Sequence, residues 1–206
     1  MAPGGLVARV KSSLFTGFGR THRVDSLVVD RTLNAITVRS GPGTPMNEPH
    51  PNVAEALASL AITHEIIPCD PAFADTAEFC REYGYPLETS ANTIIVTSTR
   101  GEKVYSACLV QASTKLDVNH VVKRLMGASR LSFASADETR ELTGMEIGGV
   151  TVFGLPADLP LYVDEALKAQ PYIIVGSGNR MSKVKMAPTE LAKIPNCSFI
   201  NDLSIS

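Results

Sequence analysis

Apolar side chains recur every three to four residues in several short segments of the chain, which is the spacing that covers one face of a helix. Three of these segments begin at residue types that cap helix N-termini, namely Asn52, Asp75 and Ser135. Asp75 and Ser135 are each followed by glutamate three residues later, which predicts a capping box at both positions. Gly84 and Gly144 predict where these last two helices end.

Runs rich in β-branched residues lie between the helical segments and predict strands. The runs are residues 64–68, 93–97, 104–110, 159–163, 172–175 and the alternating segment 182–186. Residues 99–102 predict a hairpin turn, and two more helices are expected after Asp117 and Pro188. Helices and strands interleave with little βαβ repetition. We therefore expect an α/β (mixed α+β) fold in which helices surround a mixed sheet.

The 206 residues suggest one domain with an appendage. Residues 40–51 contain four prolines and two glycines and predict a linker. Residues 1–45, which include the first part of this linker, form a basic N-terminal extension with six basic and two acidic side chains. Residues 46–206 form the predicted domain. The extension has no apolar secretory segment and is faintly similar to a transit peptide. We favour an accessory extension of unassigned role, or a chain whose working first residue is Met46.

Composition excludes several classes of protein. A net charge of −2 excludes a general polycation that coats nucleic acid, and no apolar run approaches the length of a membrane span. For the same reason we expect no membrane partner. The four cysteines and four histidines have no metal-ligand spacing, so we also expect no metal ion. Scattered cysteines are typical of reduced thiols, which favours a cytoplasmic location.

Two glycine-bearing segments stand out, residues 144–154 with four glycines and residues 175–180. The second segment lacks the third glycine of a dinucleotide fingerprint, because position 181 is Met181. Neither segment contains the Gly-Lys-Ser/Thr of a phosphate-binding loop, so no cofactor is expected. Two interpretations stay open: both segments are tight turns, or their backbone closely approaches a ligand.

Five blocks in the same order resemble the YbaK/prolyl-tRNA synthetase-associated editing domains, a family of aminoacyl-tRNA deacylases. The blocks are residues 88–96, 116–119, 141–154, 159–164 and 172–180. The resemblance covers roughly residues 50–195 and implies a mixed, partly closed sheet with surrounding helices. It also implies a pocket for an amino acid esterified to the terminal adenosine of a tRNA.

The function that this resemblance implies is trans-editing, the hydrolysis of the ester of a small mischarged amino acid on tRNA, which protects translation fidelity. The partners implied are the aminoacylated acceptor end of tRNA and an aminoacyl-tRNA synthetase. The substrate's own ribose hydroxyl assists in this family, so no Ser-His-Asp arrangement is required. Backbone N–H groups of a glycine-rich bend are suitable donors to the developing oxyanion.

The resemblance also assigns candidate site residues. Asn92 stands where many members have a lysine central to activity, and Asp164 ends an apolar strand; these two are the catalytic candidates. The substrate-binding candidates are Thr93, Gly148, Gly149, Val150, Thr151, Phe153, Gly154, Gly176, Ser177, Gly178, Asn179, Arg180 and Lys183. Asp164 is equally well explained as the N-cap of a following helix, and Arg180 and Lys183 as a solvated basic face.

Alternative functions remain open at this point. The neutral Asn92 is also consistent with a non-catalytic homologue that binds aminoacyl-tRNA or a synthetase, and the same scaffold could serve an unrelated small-molecule hydrolase. Basic side chains flank the helix after Asp117, and these either meet tRNA phosphates or are simply solvated. They are Lys115, Lys123, Arg124 and Arg130.

Overall fold

The computed structural model describes residues 47–206; the predicted extension, residues 1–45, and Met46 lie outside this range. The α-helices are α1 Pro51–Ser59, α2 Thr76–Tyr83, α3 Lys123–Met126 and α4 Ala136–Thr143. A π-helical turn, Val118–Val122, runs directly into α3. Short 3-10 helices cover Pro71–Phe73, Leu87–Thr89, Glu165–Ala169 and Pro188–Lys193.

Ten strands occur in the described residues. They are β1 His64–Pro68, β2 Ala91–Ser98, β3 Tyr105–Gln111, β4 Lys115–Leu116, β5 Leu131–Phe133, β6 Leu161–Asp164, β7 Ile173–Gly176, β8 Ser182–Met186, β9 Cys197–Ile200 and β10 Ser204–Ile205.

The largest sheet is mixed, with the strand order β5-β2-β3-β6-β9. β2 pairs antiparallel with β3 and β5, whereas β6 pairs parallel with β3 and β9. A second, antiparallel sheet has the order β1-β8-β7, and one parallel bridge between Ser90 and Ile174 joins the two sheets. β4 and β10 form a separate antiparallel pair. The expected mixed, partly closed sheet is confirmed.

Side chains alternate across the five-stranded sheet, so that each face covers its own apolar cluster. Ile95 and Leu109 pack into the larger cluster together with α1 and β7, and Val96 and Cys108 pack into the cluster on the other face. Phe79 of α2 anchors a third cluster beneath the second sheet. The second sheet and α2 thereby lie beside the N-terminal end of β2.

The predicted helix beginning at Ser135 has the expected capping box. The Ser135 hydroxyl accepts from the N–H of Glu138 at 3.2 Å, and the Glu138 carboxylate accepts from the N–H of Ser135 at 2.8 Å. Hydrogen bonds from the Lys103 side chain and from the N–H of Ser135 lower the pKa of Glu138 to about 2, so its carboxylate is charged at neutral pH. Gly144 ends this helix in the left-handed region, as predicted.

One predicted cap is wrong, and a second cap lacks its predicted hydrogen bonds. α1 begins at Pro51 with His50 as its N-cap, because proline suits the first helical position, where no N–H partner is available. Asn52 therefore lies inside the helix. Asp75 does occupy the N-cap of α2, but its side chain makes no cap hydrogen bond because it contacts Arg180 instead.

The last residues of the predicted linker belong to the fold. Pro49 is buried, and the Glu48 carbonyl accepts from the Asn179 amide at 2.8 Å. The N–H of His50 donates to the Ser177 carbonyl at 2.9 Å. The chain therefore enters α1 attached to the second glycine segment. None of the helices in residues 47–206 combines the length and the apolar character that crossing a membrane requires.

We predict that Ser135→Ala lowers the free energy of unfolding by about 1 kcal/mol, since the N–H of Glu138 loses its partner. Chemical denaturation of the variant and the parent protein measures this difference. Ser129→Ala is the matched control, because Ser129 is exposed and lies outside every helix and strand. Equal losses in both variants would contradict the role of the capping box.

Candidate functional site

A cleft of about 370 Å³ opens where one edge of β2 is uncovered. β3 covers one edge of β2 from Ala91 to Thr97, but β5 covers the other edge only from Val96 to Ser98. Segments far apart in the chain therefore meet at the uncovered part. The lining residues are Asp75, Thr76, residues 91–95, Phe133, Ala134, Thr139, Ile147, Gly148, Val150, Gly176 and Lys183.

One wall of the cleft is a tight turn in the first glycine segment. The N–H of Gly149 donates to the Glu146 carbonyl at 2.9 Å, which closes a four-residue turn. Gly148 is the third residue of this turn and has a φ of 87°. This turn position requires a positive φ, which glycine adopts without strain, and the sequence supplies a glycine there for that reason.

Two peptide groups of this wall are held by their carbonyls. The Ile147 carbonyl accepts from Arg180 at 3.3 Å, and the Gly149 carbonyl accepts from the N–H of Gly178 at 2.7 Å. Because a trans peptide directs its C=O and N–H to opposite sides, the N–H groups of Gly148 and Val150 point away from these partners. Within residues 47–206 neither N–H has a hydrogen-bond partner, and both residues line the cleft. The wall thus offers two free backbone donors.

The two glycine segments contact each other backbone to backbone. A Cβ atom on Gly149 would lie 2.2 Å from the Asn179 carbonyl oxygen, and one on Gly176 would lie 2.3 Å from the Gly149 carbonyl oxygen. Real Cβ atoms do not approach so closely, so the contact requires glycine at both positions. Gly149 shapes the wall from behind, whereas Gly176 also lines the cleft.

Ser177 and Asn179 of the second segment make hydrogen bonds that hold the segment in place. The Ser177 hydroxyl donates to the Ser182 carbonyl at 2.7 Å, and the Asn179 side chain accepts from the N–H of Met181 at 2.9 Å. Ser177 and Asn179 are both buried. Both residues were predicted to bind substrate, but they hold the loop in shape and do not line the cleft.

Arg180 connects three segments at the back of the turn. Besides the Ile147 carbonyl, its guanidinium donates to the Pro71 carbonyl at 3.0 Å and to the Asp75 carboxylate at 3.3 Å. The side chain is about one third exposed and is absent from the cleft lining. Arg180 is therefore a positioning residue behind the wall.

Lys183 lies in the wall itself, and only 4% of its surface is exposed. Its ammonium donates to the Ala74 carbonyl at 2.6 Å and to the Gly148 carbonyl at 3.2 Å. Desolvation by burial lowers the pKa of Lys183, nearby Arg180 lowers it further, and Asp75 acts in the opposite direction. The interpretation of Lys183 as part of a solvated basic face is wrong.

Asn92 and Thr93 form the opposite wall on β2. The Thr76 hydroxyl donates to the Asn92 side-chain oxygen at 2.7 Å, which leaves the amide N–H groups of Asn92 without a partner among residues 47–206. The Ile95 carbonyl bonds to Ala134 across the edge that faces the cleft. Because backbone groups of alternate residues face the same edge of a strand, the N–H and C=O of Thr93 also point toward the cleft. The Thr93 hydroxyl oxygen is buried without a partner in the described chain.

Other predicted site residues lie away from the cleft. Thr151 and Phe153 are fully buried, and Phe153 belongs to the larger apolar cluster. Gly154 and Gly178 lie against the beginning of α1, where a Cβ atom on either would come within 3.0 Å of Asn52 or His50.

Asp164 is also separate from the cleft. Its carboxylate accepts from the N–H of Ala166 at 3.0 Å and from the Ser204 hydroxyl, and it caps the 3-10 helix Glu165–Ala169. It faces a different depression, near the C-terminal residues of the chain. The N-cap interpretation of Asp164 is the one that the structure bears out, and Asp164 does not meet Asn92 across the cleft.

Sequence reasoning missed several residues that do line the cleft. Thr76 and Asp75 reach it because α2 begins beside β2, and Phe133 and Ile147 stand at its mouth with 61% and 42% of their surfaces exposed. Only Asp75 carried a sequence signal, and that signal was for a helix cap. Nowhere in residues 47–206 do three His, Cys, Asp or Glu side chains meet in a way that could hold a metal ion.

Similarity to known proteins extends over most of the described chain. The uncharacterized protein YwhH of Bacillus subtilis (strain 168) is 31% identical over 114 residues, which are 52% of this chain and 73% of YwhH. The crystal structure of the hypothetical protein APE2540 matches with a TM-score of 0.66 and 25% identity, over 75% of this chain and 99% of that one.

A candidate trans-editing enzyme for prolyl-tRNA synthetase shares the fold, with a TM-score of 0.66, 24% identity and coverage of 79% of this chain and 99% of that one. The family model of the aminoacyl-tRNA editing domain matches residues 70–194, which is more than half of the sequence. The chain therefore belongs to the aminoacyl-tRNA editing domain family.

Proposed function

We propose that this protein is a trans-editing deacylase that hydrolyses the ester between a small, mischarged amino acid and the terminal adenosine of a tRNA. The observation that carries the proposal is the pair of unpartnered N–H groups, those of Gly148 and Val150, on residues that line the cleft. Donors fixed in this way stabilise the negative charge that develops on an ester carbonyl during hydrolysis. The structural neighbour described as a trans-editing enzyme supports action in trans.

The reaction adds one water molecule to the ester carbonyl carbon. The tetrahedral intermediate carries its negative charge on the former carbonyl oxygen, which the N–H groups of Gly148 and Val150 bind. When the intermediate collapses, the ribose oxygen leaves with a proton relayed through the neighbouring ribose hydroxyl, and the free amino acid and uncharged tRNA result. The cleft lining in residues 47–206 includes no serine, cysteine or histidine, so its hydroxyl groups are those of Thr76, Thr93 and Thr139. No histidine in the lining is available to activate these hydroxyls, which supports direct attack by water.

Asn92 supplies a third donor on the opposite wall. Since its oxygen is engaged by Thr76, its amide N–H groups are directed away from that bond and are available to the ester or the ribose. A neutral amide binds oxygen without the strong ionic attraction of the lysine found in many relatives. Discrimination then depends on the size of the cleft, because a cavity of about 370 Å³ must hold both the amino acid and the ribose.

A second candidate function is that of a non-catalytic binder of aminoacyl-tRNA or of a synthetase. Asn92 favours it, because the position lacks the cation of active relatives. Asn92→Lys distinguishes the two functions. A large gain in hydrolysis would identify a decayed site, whereas a loss would identify Asn92 as part of a working variant.

We expect the purified protein to release the amino acid from at least one of Ala-, Ser-, Cys- and Thr-charged tRNA faster than buffer does. The fraction of tRNA still charged, followed over time, measures the rate. Binding without release in all four reactions would favour the non-catalytic binder, and neither binding nor release would remove the proposal.

Asn92→Asp should lower kcat by roughly 100- to 1000-fold, the usual loss when one oxyanion donor is removed. Aspartate keeps the oxygen that accepts from Thr76 but has no N–H to offer. Asn201→Asp is the matched control, since it adds the same charge at an exposed turn. Activity that survives Asn92→Asp would exclude Asn92 from the reaction.

Arg180→Gln should lower kcat by roughly 10- to 100-fold with little change in KM, because the Gly148 peptide loses the partner that orients it. Arg81→Gln serves as the control, because Arg81 is an exposed residue on α2 that makes only a pair with Glu78. A rise in KM at constant kcat would instead place Arg180 in substrate binding.

A further inference from the structure

We propose that Phe133 and Ile147 form a binding site for the adenine base of the nucleotide that carries the amino acid. This inference rests on the proposed function, because it assigns a place to one part of that substrate. It concerns the mouth of the cleft, whereas the reacting ester lies between the Gly148 turn and Asn92.

Exposed apolar surface is concentrated at this mouth. Among residues 47–206, five large apolar side chains are more than one third exposed, and Phe133 is the most exposed of them. Phe133 and Ile147 are the two of the five that line the cleft. Apolar side chains that stay in water beside a polar cavity mark a surface that a ligand covers.

The geometry of the substrate places a base close to the reacting ester. The ester oxygen and the base are attached to the same ribose, so a ribose that presents its ester to the Gly148 turn leaves the base one sugar ring away. Phe133 and Ile147 are the exposed apolar side chains that the cleft lining offers to this base. A purine ring presents an apolar π-face, and an aromatic side chain is the usual partner for it.

Charge near Phe133 fits the rest of the nucleotide chain. Arg130 directly precedes β5 and is exposed, about 10 Å along the strand from Phe133. Lys123 and Arg124 are also exposed, at the start of α3, and the π-helical turn before α3 packs against β5. Within the described residues none of these three cations forms an ion pair, so they are free to meet phosphates.

Cations offset most of the negative charge of the nearby helix α4. Glu138 is paired with Lys103 and Asp137 with Arg140, whereas Glu141 forms no ion pair among the described residues. The exposed cation Arg130, the base site at Phe133 and the cleft at Ala134 thus follow one another along β5. This order matches the sequence of phosphate, base and ester at the acceptor end of a tRNA.

The test compares two substrates of the same amino acid, one esterified to the ribose of adenosine and one esterified to methyl riboside, which keeps the ribose hydroxyls but has no base. Phe133→Ala should lower kcat/KM for the adenosine ester by roughly 5- to 100-fold and leave the methyl riboside ester unchanged. Phe133→Trp should retain activity on both esters, since it keeps an aromatic face. Ile205→Ala is the control, because Ile205 is 52% exposed and lies outside this cleft.

An equal loss on both esters would overturn the inference, because Phe133 would then only shape the cleft. No loss on either ester would overturn it as well. If the parent protein hydrolyses neither of these esters nor any of the charged tRNAs, the proposed function fails, and binding then tests the inference separately. Phe133→Ala should weaken binding of intact tRNA to the level of tRNA that lacks its terminal adenosine, without affecting the truncated tRNA. Equal binding of intact tRNA by parent and variant would contradict the base site.

Discussion

The contact between the two glycine segments is the constraint on which the cleft depends. The N–H of Gly178 bonds to the Gly149 carbonyl, and the backbones approach so closely that neither Gly149 nor Gly176 has room for a Cβ atom. This contact fixes the peptide that carries the N–H of Val150. It also attaches the turn to Gly176 at the end of β7, which belongs to the second sheet, so a strand as well as the loop's own hydrogen bonds holds the wall of the cleft.

Two buried or half-buried cations complete the same wall. Arg180 and Lys183 donate to the carbonyls of Ile147 and Gly148, so each positive charge lies behind the turn and increases the polarity of its peptides. Burying Lys183 costs solvation free energy, which its lowered pKa reflects. A positive charge in this position favours negative charge on the cleft side of the turn, an effect that packing alone does not have.

Local features of the sequence predicted the fold well. The capping box at Ser135 and the glycine end at Gly144 involve residues within one turn of each other, so short-range pattern is sufficient. The short strands β4, β5, β9 and β10 were missed, because two to four residues give no clear alternation. At the site, Asn92 and the Gly148 turn were identified through motif order. Phe133 and Thr76 were not, since only the uncovered edge of β2 brings them together.

The proposed reaction centre, built from peptide N–H groups, differs from one built on a nucleophilic side chain. Acylating reagents that trap an active-site serine or cysteine find no such group on the described walls of this cleft. Substitutions around the pocket can likewise alter its shape while the main-chain donors stay in place. Under the proposed function, such a scaffold would separate the choice of substrate from the chemistry performed on it, so that one backbone could serve different aminoacyl groups.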